Sequence, residues 1–374
     1  MADITRREFV STSLMAAIGL GFSMPEGELL GIVPFVGEGR SPIGELIAGS
    51  HRGRLVADLS KLDETKLVTP NDAFFIRTRY PDELKHDGPW TLRGFGHVRQ
   101  ETTIMLDDLR DDVEPMGLQL LECSGNSKRR KFGLLSSSEW SGIPIAKVLE
   151  RVHPTSKATR LHVIGHDEHS DFRSARGRGA SWIFTFEQLE AAGAYLATEM
   201  NGQPLPRDHG EPVRLIVPNW YGCACIRWVH ALELLDDDAP SSQHMREFSR
   251  RTHQDGVPEM ARDFIPGTMD QTGTAVRVEK LRVDGELVYR VWGVLWGGDR
   301  PTDKLMIRFR EDLPREPLEN YDIRDNRTWT LWSHKWRPKE PGRYQIALKV
   351  DDPSIRTRRL DRGYYVREID IEEV

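Results

Sequence analysis

Hydrophobic and polar positions along this chain follow two rhythms, and the change between them falls near "RDFIPGT". From Val276 onward apolar residues recur at every second position, as half-buried strands require, in "VRVEKLRV", "LVYRVWGVLW", "KLMIRFR", "TWTLWSHKW", "RYQIALKV" and "YYVREIDI". Asp284-Gly285, between the first two runs, has the composition of a tight hairpin turn. With no long helical pattern among these runs, residues 268–374 are predicted to form a β-sandwich of the immunoglobulin-like kind. Before the change, short apolar runs such as "LHVIG" and "PVRLIV" are interspersed with helix-like stretches such as "FTFEQLEAAGAYLATEM". Residues 54–262 therefore read as a mixed α/β domain, and the expected fold class of the whole is α+β.

Residues 27–53 are rich in Gly and Pro with little periodicity, which predicts an irregular linker. Ahead of it, Arg6 and Arg7 precede an uncharged apolar run from Val10 to Phe22, shorter than the ~20 residues a membrane-spanning helix needs. Residues 1–26 thus look like a twin-arginine export signal, and the expected destination is the periplasm. No Ala-x-Ala site follows, so an uncleaved signal would tether the protein to the membrane. Because twin-arginine export carries proteins already folded, often around a cofactor, the signal points to an exported cofactor enzyme.

A length of 374 residues allows two domains, and 38% hydrophobic with 29% charged residues is ordinary for a soluble globular protein. The formal charge of −6 argues against a nucleic-acid binder held by phosphate contacts. Three cysteines, at 123, 223 and 225, cannot all pair, so no disulfide framework is expected. Neither a Cys-x-x-Cys-His run for covalent haem nor a four-ligand zinc spacing is present.

Cys123 stands in "LLECSGNSKRRKFG", just before the cations Lys128, Arg129, Arg130 and Lys131. A buried packing role is one reading of a lone cysteine. The neighbouring cations favour a thiolate, which either attacks an electrophile or binds a soft redox metal. The export signal favours the metal. In the insert 165–182, His166, Asp167, His169 and Asp171 have no specific ligand spacing and read as a polar loop at a pocket mouth.

Several ordered segments carry a family resemblance. "CSGNSKRR" is similar to the Cys-Ala-Gly-Asn-Arg-Arg segment of the sulfite oxidase family of molybdenum enzymes. "TPNDAFFIRTRYP", "EWSGIPIAKVL", "ATEMNGQPLPRDHGEPVRLIVPNWYGCACIRWV" and the tail with "WGGDRP" and "TWTLWS" resemble further elements of that family in the same order. The resemblance implies a molybdenum-molybdopterin cofactor ligated by Cys123, and the missing haem-binding motif predicts no haem in this chain. It also implies that Arg79, His209, Arg214 and Arg227 hold the pterin and its phosphate, and that Cys225 and Cys223 pack beside it or meet it through backbone. Substrate residues by the same resemblance are Arg77, Arg129 (with Arg130 or Lys128 as alternatives), Arg300 from the sandwich, and Trp140 as a pocket wall.

Two departures stand out. Thr78-Arg79 replaces the family's Asn-His, and Phe264 falls where an aromatic hydroxyl is expected. The implied reaction is oxidation of sulfite to sulfate, with electrons leaving to a separate c-type cytochrome, in a homodimer built through the sandwich. The departures keep open a reductase of sulfoxides or another oxygenated substrate. A non-catalytic anion-binding or assembly subunit on the same scaffold is the third reading.

Overall fold

A computed structural model describes residues 27–37, 55–57, 59, 62, 67–77, 84, 88–126, 132–166, 180–318, 320–322, 327–358, 360 and 365–374. The proposed export signal therefore lies outside the described residues, and among those described no helix is long and apolar enough to cross a membrane.

The N-terminal half is built on two sheets. In one, the strands Arg214–Ile216, Tyr195–Met200, Leu135–Pro144 and Glu114–Glu122 lie side by side, all antiparallel. In the other, the order is Thr102–Met105, Thr91–Gly96, Val229–Leu235, Arg160–Gly165 and Ser181–Thr185, with one parallel pairing, between Val229–Leu235 and Thr91–Gly96. Short helices Ile145–Val152, Phe186–Ala192 and Gln243–Phe248 cover these sheets. Helices and sheets together give the α+β class expected from the pattern.

The helix-like run "FTFEQLEAAGAYLATEM" forms a helix only in its middle. A capping box between Thr185 and Gln188 starts it, and Gly193 at φ 63° stops it. Tyr195, Leu196, Ala197 and Met200 are then fully buried in a strand between two neighbours. Burial on both faces of a sheet erases alternation, which is why the run imitates a helix.

The tail forms two sheets. One has the order Glu28–Val33, Thr272–Val283, Glu286–Trp296, Thr330–Trp336 and Asn320–Asp322; the other Glu316–Pro317, Leu305–Arg308, Gly342–Val350 and Arg367–Ile371. Val278, Val291, Leu305, Ile307, Ile346, Leu348 and Ile369 fill the space between them, so the two sheets form a sandwich. The first member of the larger sheet corrects the reading of 27–53 as irregular, since Glu28–Val33 pairs antiparallel with Thr272–Val283. An edge strand needs backbone partners on one side only, so "ELLGIV" forms one without alternating, and Leu29 and Ile32 stay exposed.

The outer face of the same sheet does not meet solvent. Val276, Trp292, Val294, Trp296, Trp329 and Leu331 join the core of the N-terminal half, and Trp329 donates its indole N–H to Leu67 O at 3.2 Å. Within the sandwich, Gly293 lets neighbouring strands pack closely: a Cβ there would lie 2.2 Å from Thr274 O and 2.5 Å from the Trp332 ring. The two halves therefore share a hydrophobic seam, and the candidate site lies along it.

Candidate functional site

Cys123 follows the last residue of the strand Glu114–Glu122, where the chain leaves the sheet and turns. Its N–H donates to Leu134 O at 3.0 Å, its carbonyl accepts from Asn126 N at 2.8 Å, and the Gly125 N–H points at its Sγ at 3.4 Å. Asn126 Oδ1 closes the turn by accepting from Leu134 N at 3.1 Å. The thiol is buried. Lys128, Arg129 and Arg130 lie outside the described residues, as do Arg79, Asp167, His169 and Asp171.

A second turn, in "NWYGCACIRW", packs on the first. Gly222 N donates to Glu122 O at 2.7 Å, and a Cβ on Gly222 would sit 3.2 Å from that oxygen. Tyr221 N reaches Gly267 O at 3.0 Å, and Asn219 Nδ2 reaches Gly298 O at 2.5 Å, so this turn also touches the linker and the sandwich. Cys225 Sγ lies 3.5 Å from Val217 N, while its carbonyl accepts from Arg214 Nη2 at 3.4 Å. Burial pushes both the Cys223 and Cys225 thiols up, which suits packing and backbone roles for them.

Around Phe74 the structure brings together four of the residues singled out in the sequence or their neighbours. The Phe74 ring meets Trp140 edge-on at 5.9 Å and His209 at 5.3 Å, and the Arg214 guanidinium lies 5.5 Å from the Trp140 ring. Arg214 Nη1 donates to His209 O at 3.0 Å, and Arg227 Nη1 donates to Asp208 O at 2.7 Å. An isolated antiparallel bridge joins Arg214 to Arg227. Burial, reinforced by the charges of Arg214 and Arg227, pushes the His209 imidazole down to about 3. It is therefore neutral near pH 7, and because Asn71 O can only accept, Nε2 carries the proton in their 3.2 Å hydrogen bond. Two buried guanidiniums beside a neutral imidazole suit an anionic, phosphate-bearing group.

Arg77 follows Ile76, which pairs with Leu55; Ala57 in turn bonds to Gly133, the residue before Cys123's partner Leu134. The Arg77 Nη1 atom is buried with no hydrogen-bond partner among the described residues. A buried cationic donor with no acceptor calls for one from a bound group. Trp140 is a fully buried wall whose indole N–H donates to Gln119 O at 3.4 Å. Arg300 is turned elsewhere: it pairs with Ser354, and its Nη2 lies 3.6 Å from Asp352 Oδ2, with the side chain half exposed. Phe264 is buried after the turn Ala261–Asp263 and has no hydroxyl to offer.

Four further residues beside the turn carry no local sequence signal. Glu122 is completely buried and holds Arg358 with both carboxylate oxygens, at 3.0 and 2.8 Å. His244 fixes the second turn through Cys223 O at 2.8 Å. The Arg251 Nη1 atom and the Cys123 Sγ lie 3.4 and 3.7 Å from the position a Cβ on Gly125 would take. Arg251 and Arg358 sit in charge-rich stretches that read as solvated surface, and only the tertiary structure brings them here.

Among the described residues no three His, Cys, Asp or Glu side chains form a metal cluster. A metal at Cys123 would have one protein thiolate and would take its other ligands from the group that carries it. The residues fit such a group. Cys123 Sγ faces a backbone N–H, Arg77 has an unused buried donor, and the Arg214–Arg227 pair provides two anchored cations.

Fold and site together define an oxidoreductase-type molybdopterin-binding domain, and residues 79–243 match the family model described as oxidoreductase molybdopterin binding domain. The chain is 26% identical over 316 residues to mitochondrial sulfite oxidase of Rattus norvegicus, covering 77% of this chain and 56% of that protein. It is 29% identical over 319 residues to mitochondrial sulfite oxidase of Macaca fascicularis, covering 80% and 57%. Similarity also extends to the NADH nitrate reductase of Spinacia oleracea, at 23% over 223 residues, covering 56% and 24%. The solved structure of the sulfane dehydrogenase SoxCD from Paracoccus pantotrophus shares the fold, with a TM-score of 0.62 at 16% identity over 92% of this chain and 91% of that one. These matches support membership of the sulfite oxidase family of molybdopterin oxidoreductases. It spans just over half the length of the mitochondrial sulfite oxidases it matches.

Proposed function

We propose that this protein is a molybdenum-cofactor oxidoreductase that converts sulfite and water to sulfate, two protons and two electrons. Bound through Cys123, the cofactor supplies the two-electron redox centre. The observation that carries the reading is the Cys123 turn, a buried thiol facing a backbone N–H, with the turn at Gly222 packed against it.

His209, Arg214 and Arg227, with Arg79, hold the pterin and its phosphate. The neutral imidazole of His209 has Nδ1 free of the Asn71 contact and able to accept a hydrogen bond, while the arginines donate. Arg77, with Arg129, binds the sulfite oxygens; planar cationic donors match an oxyanion and neutralise its charge as it arrives and leaves as sulfate. Trp140 walls the pocket and keeps Arg214 in place. Arg300 is left out of the oxyanion set, because its partners Asp352 and Ser354 already use its guanidinium within the tail. Electrons pass to a separate c-type cytochrome, in the periplasm, from a homodimer joined through the sandwich.

Phe264 supports a second reading, reduction of a sulfoxide or another oxygenated substrate, since it removes a proton donor from the place where the family carries one. One experiment tests both. Protein exported from its native host is analysed for molybdenum and for sulfite-dependent reduction of an artificial acceptor, in the wild type and in Cys123→Ser. Molybdenum near one per chain with Cys123-dependent sulfite turnover supports oxidation. Molybdenum without sulfite turnover, but with sulfoxide turnover from a reduced dye, moves the assignment to the reductase, and absence of the metal overturns both.

A further inference from the structure

Glu122, the residue before Cys123, is buried at 0% exposure, yet each of its carboxylate oxygens has two donors. Oε1 accepts from Asn126 Nδ2 at 3.2 Å and Arg358 Nη1 at 3.0 Å. Oε2 accepts from Trp296 Nε1 at 3.1 Å and Arg358 Nη2 at 2.8 Å. Of these donors only Asn126 belongs to the domain that carries Cys123; Arg358 and Trp296 come from the sandwich. The Arg358 guanidinium also donates to Tyr221 Oη at 2.6 Å and Tyr365 Oη at 3.2 Å, and Tyr221 belongs to the turn that packs on Glu122. The backbone of Arg358 is anchored as well, since its N–H donates at 3.0 Å to the carbonyl of Gln271, just before the strand Thr272–Val283.

A charge pair whose carboxylate accepts four hydrogen bonds and whose guanidinium donates four tolerates little rotation, because any movement strands a charge out of water. The Glu122 carbonyl is fixed independently by Gly222 N at 2.7 Å. Side chain and carbonyl together fix the peptide that leads into Cys123, and with it the direction in which Sγ leaves the backbone. Interactions one bond beyond a ligand commonly tune a metal site through orientation.

We propose that Glu122 and Arg358 are a cross-domain positioning pair that orients Cys123 toward the metal-carrying group, so that the sandwich completes the cofactor site without touching the cofactor. The inference rests on Cys123 being the metal ligand.

The test uses full-length holoprotein from the native host and reads molybdenum retention against a chelator and the electron paramagnetic resonance signal of the retained metal. Arg358→Met, Glu122→Gln and the double variant are compared with Arg290→Met. That control breaks a buried pair of similar kind inside the sandwich, where Arg290 Nη1 meets Glu279 Oε2 at 3.1 Å. The double variant leaves no uncompensated buried charge, so it folds even if Arg358→Met does not. The expected result is retention weakened about tenfold and a displaced metal signal in the folded Glu122 and Arg358 variants. Arg290→Met should lose stability while its metal signal stays at the wild-type position. A wild-type signal and wild-type retention in every folded Glu122 and Arg358 variant would overturn the pair's role and leave the ligand assignment intact. Persistence of the native signal in Cys123→Ser would overturn the ligand assignment itself, and the positioning role with it.

Discussion

Arg214 donates from Nη1 to the carbonyl oxygen of His209 at 3.0 Å, which fixes a buried cation against an imidazole that burial keeps neutral. The sequence separation of five places the two side by side only because the turn between them passes through Gly210 at φ 113°.

That relationship makes stability depend on acid. The His209 imidazole is pushed from 6.5 down to about 3 in the folded protein, so the unfolded chain takes up its proton first as pH falls. Its neutral form costs nothing above pH 6.5, and the fold loses stability progressively between 6.5 and about 3. His230, pushed down to about 4 by burial and by His166, acts in the same direction. Urea unfolding of the wild type should lose a few kcal/mol from pH 7 to pH 4 beyond what His209→Gln loses over the same range. Equal slopes for the two proteins would exclude His209 as a source of the acid sensitivity.

Removing Arg77 should separate binding from folding. Its Nη1 is buried with no described partner, so Arg77→Met strands nothing and should leave the urea midpoint within about 0.5 kcal/mol of wild type. Loss of a charge-assisted contact to the substrate, worth roughly 1.5–3 kcal/mol, should lower kcat/KM for sulfite about 10- to 100-fold. Molybdenum content should not change, and Arg77→Lys should restore part of the activity.

Arg300→Ala is expected to do little. Arg300 itself is half exposed and lies 3.6 Å from Asp352, and pairs so open to solvent contribute about 0–1 kcal/mol. KM for sulfite should stay within about twofold of wild type; a rise comparable to that of the Arg77 variant would return Arg300 to the oxyanion set.

One substitution probes the seam between the halves and a second the interior of the sandwich. Trp296→Phe removes one donor from the buried carboxylate of Glu122 and should cost about 1–3 kcal/mol. Gly293→Ala forces a methyl against Thr274 O and the Trp332 ring and should cost about 1–3 kcal/mol or prevent folding. Both are read from denaturant midpoints. In each case the two halves should unfold in one transition, because they share a core.

The runs after residue 276 were legible as strands because their alternation reports a sheet with one polar or loosely packed face. Where both faces are buried the signal fails, as at Tyr195–Met200, which reads as part of a helix. The edge strand Glu28–Val33 was missed for the opposite reason: it packs so little that its side chains carry no pattern.

For the site, sequence alone determined the chemistry that local order can hold. It singled out Cys123 at a strand end, the "RDHGEPVR" and "GCACIRW" segments, Trp140 and Arg77, since short motifs keep their residues together whatever the rest of the chain does. Tertiary structure alone decided which distant charges meet that chemistry. Arg358 lies 236 positions from Glu122, and Arg300 meets Ser354, 54 positions away. A buried charge must find its counterpart wherever packing permits, and packing between sheets is a property of the folded whole that no local spacing records.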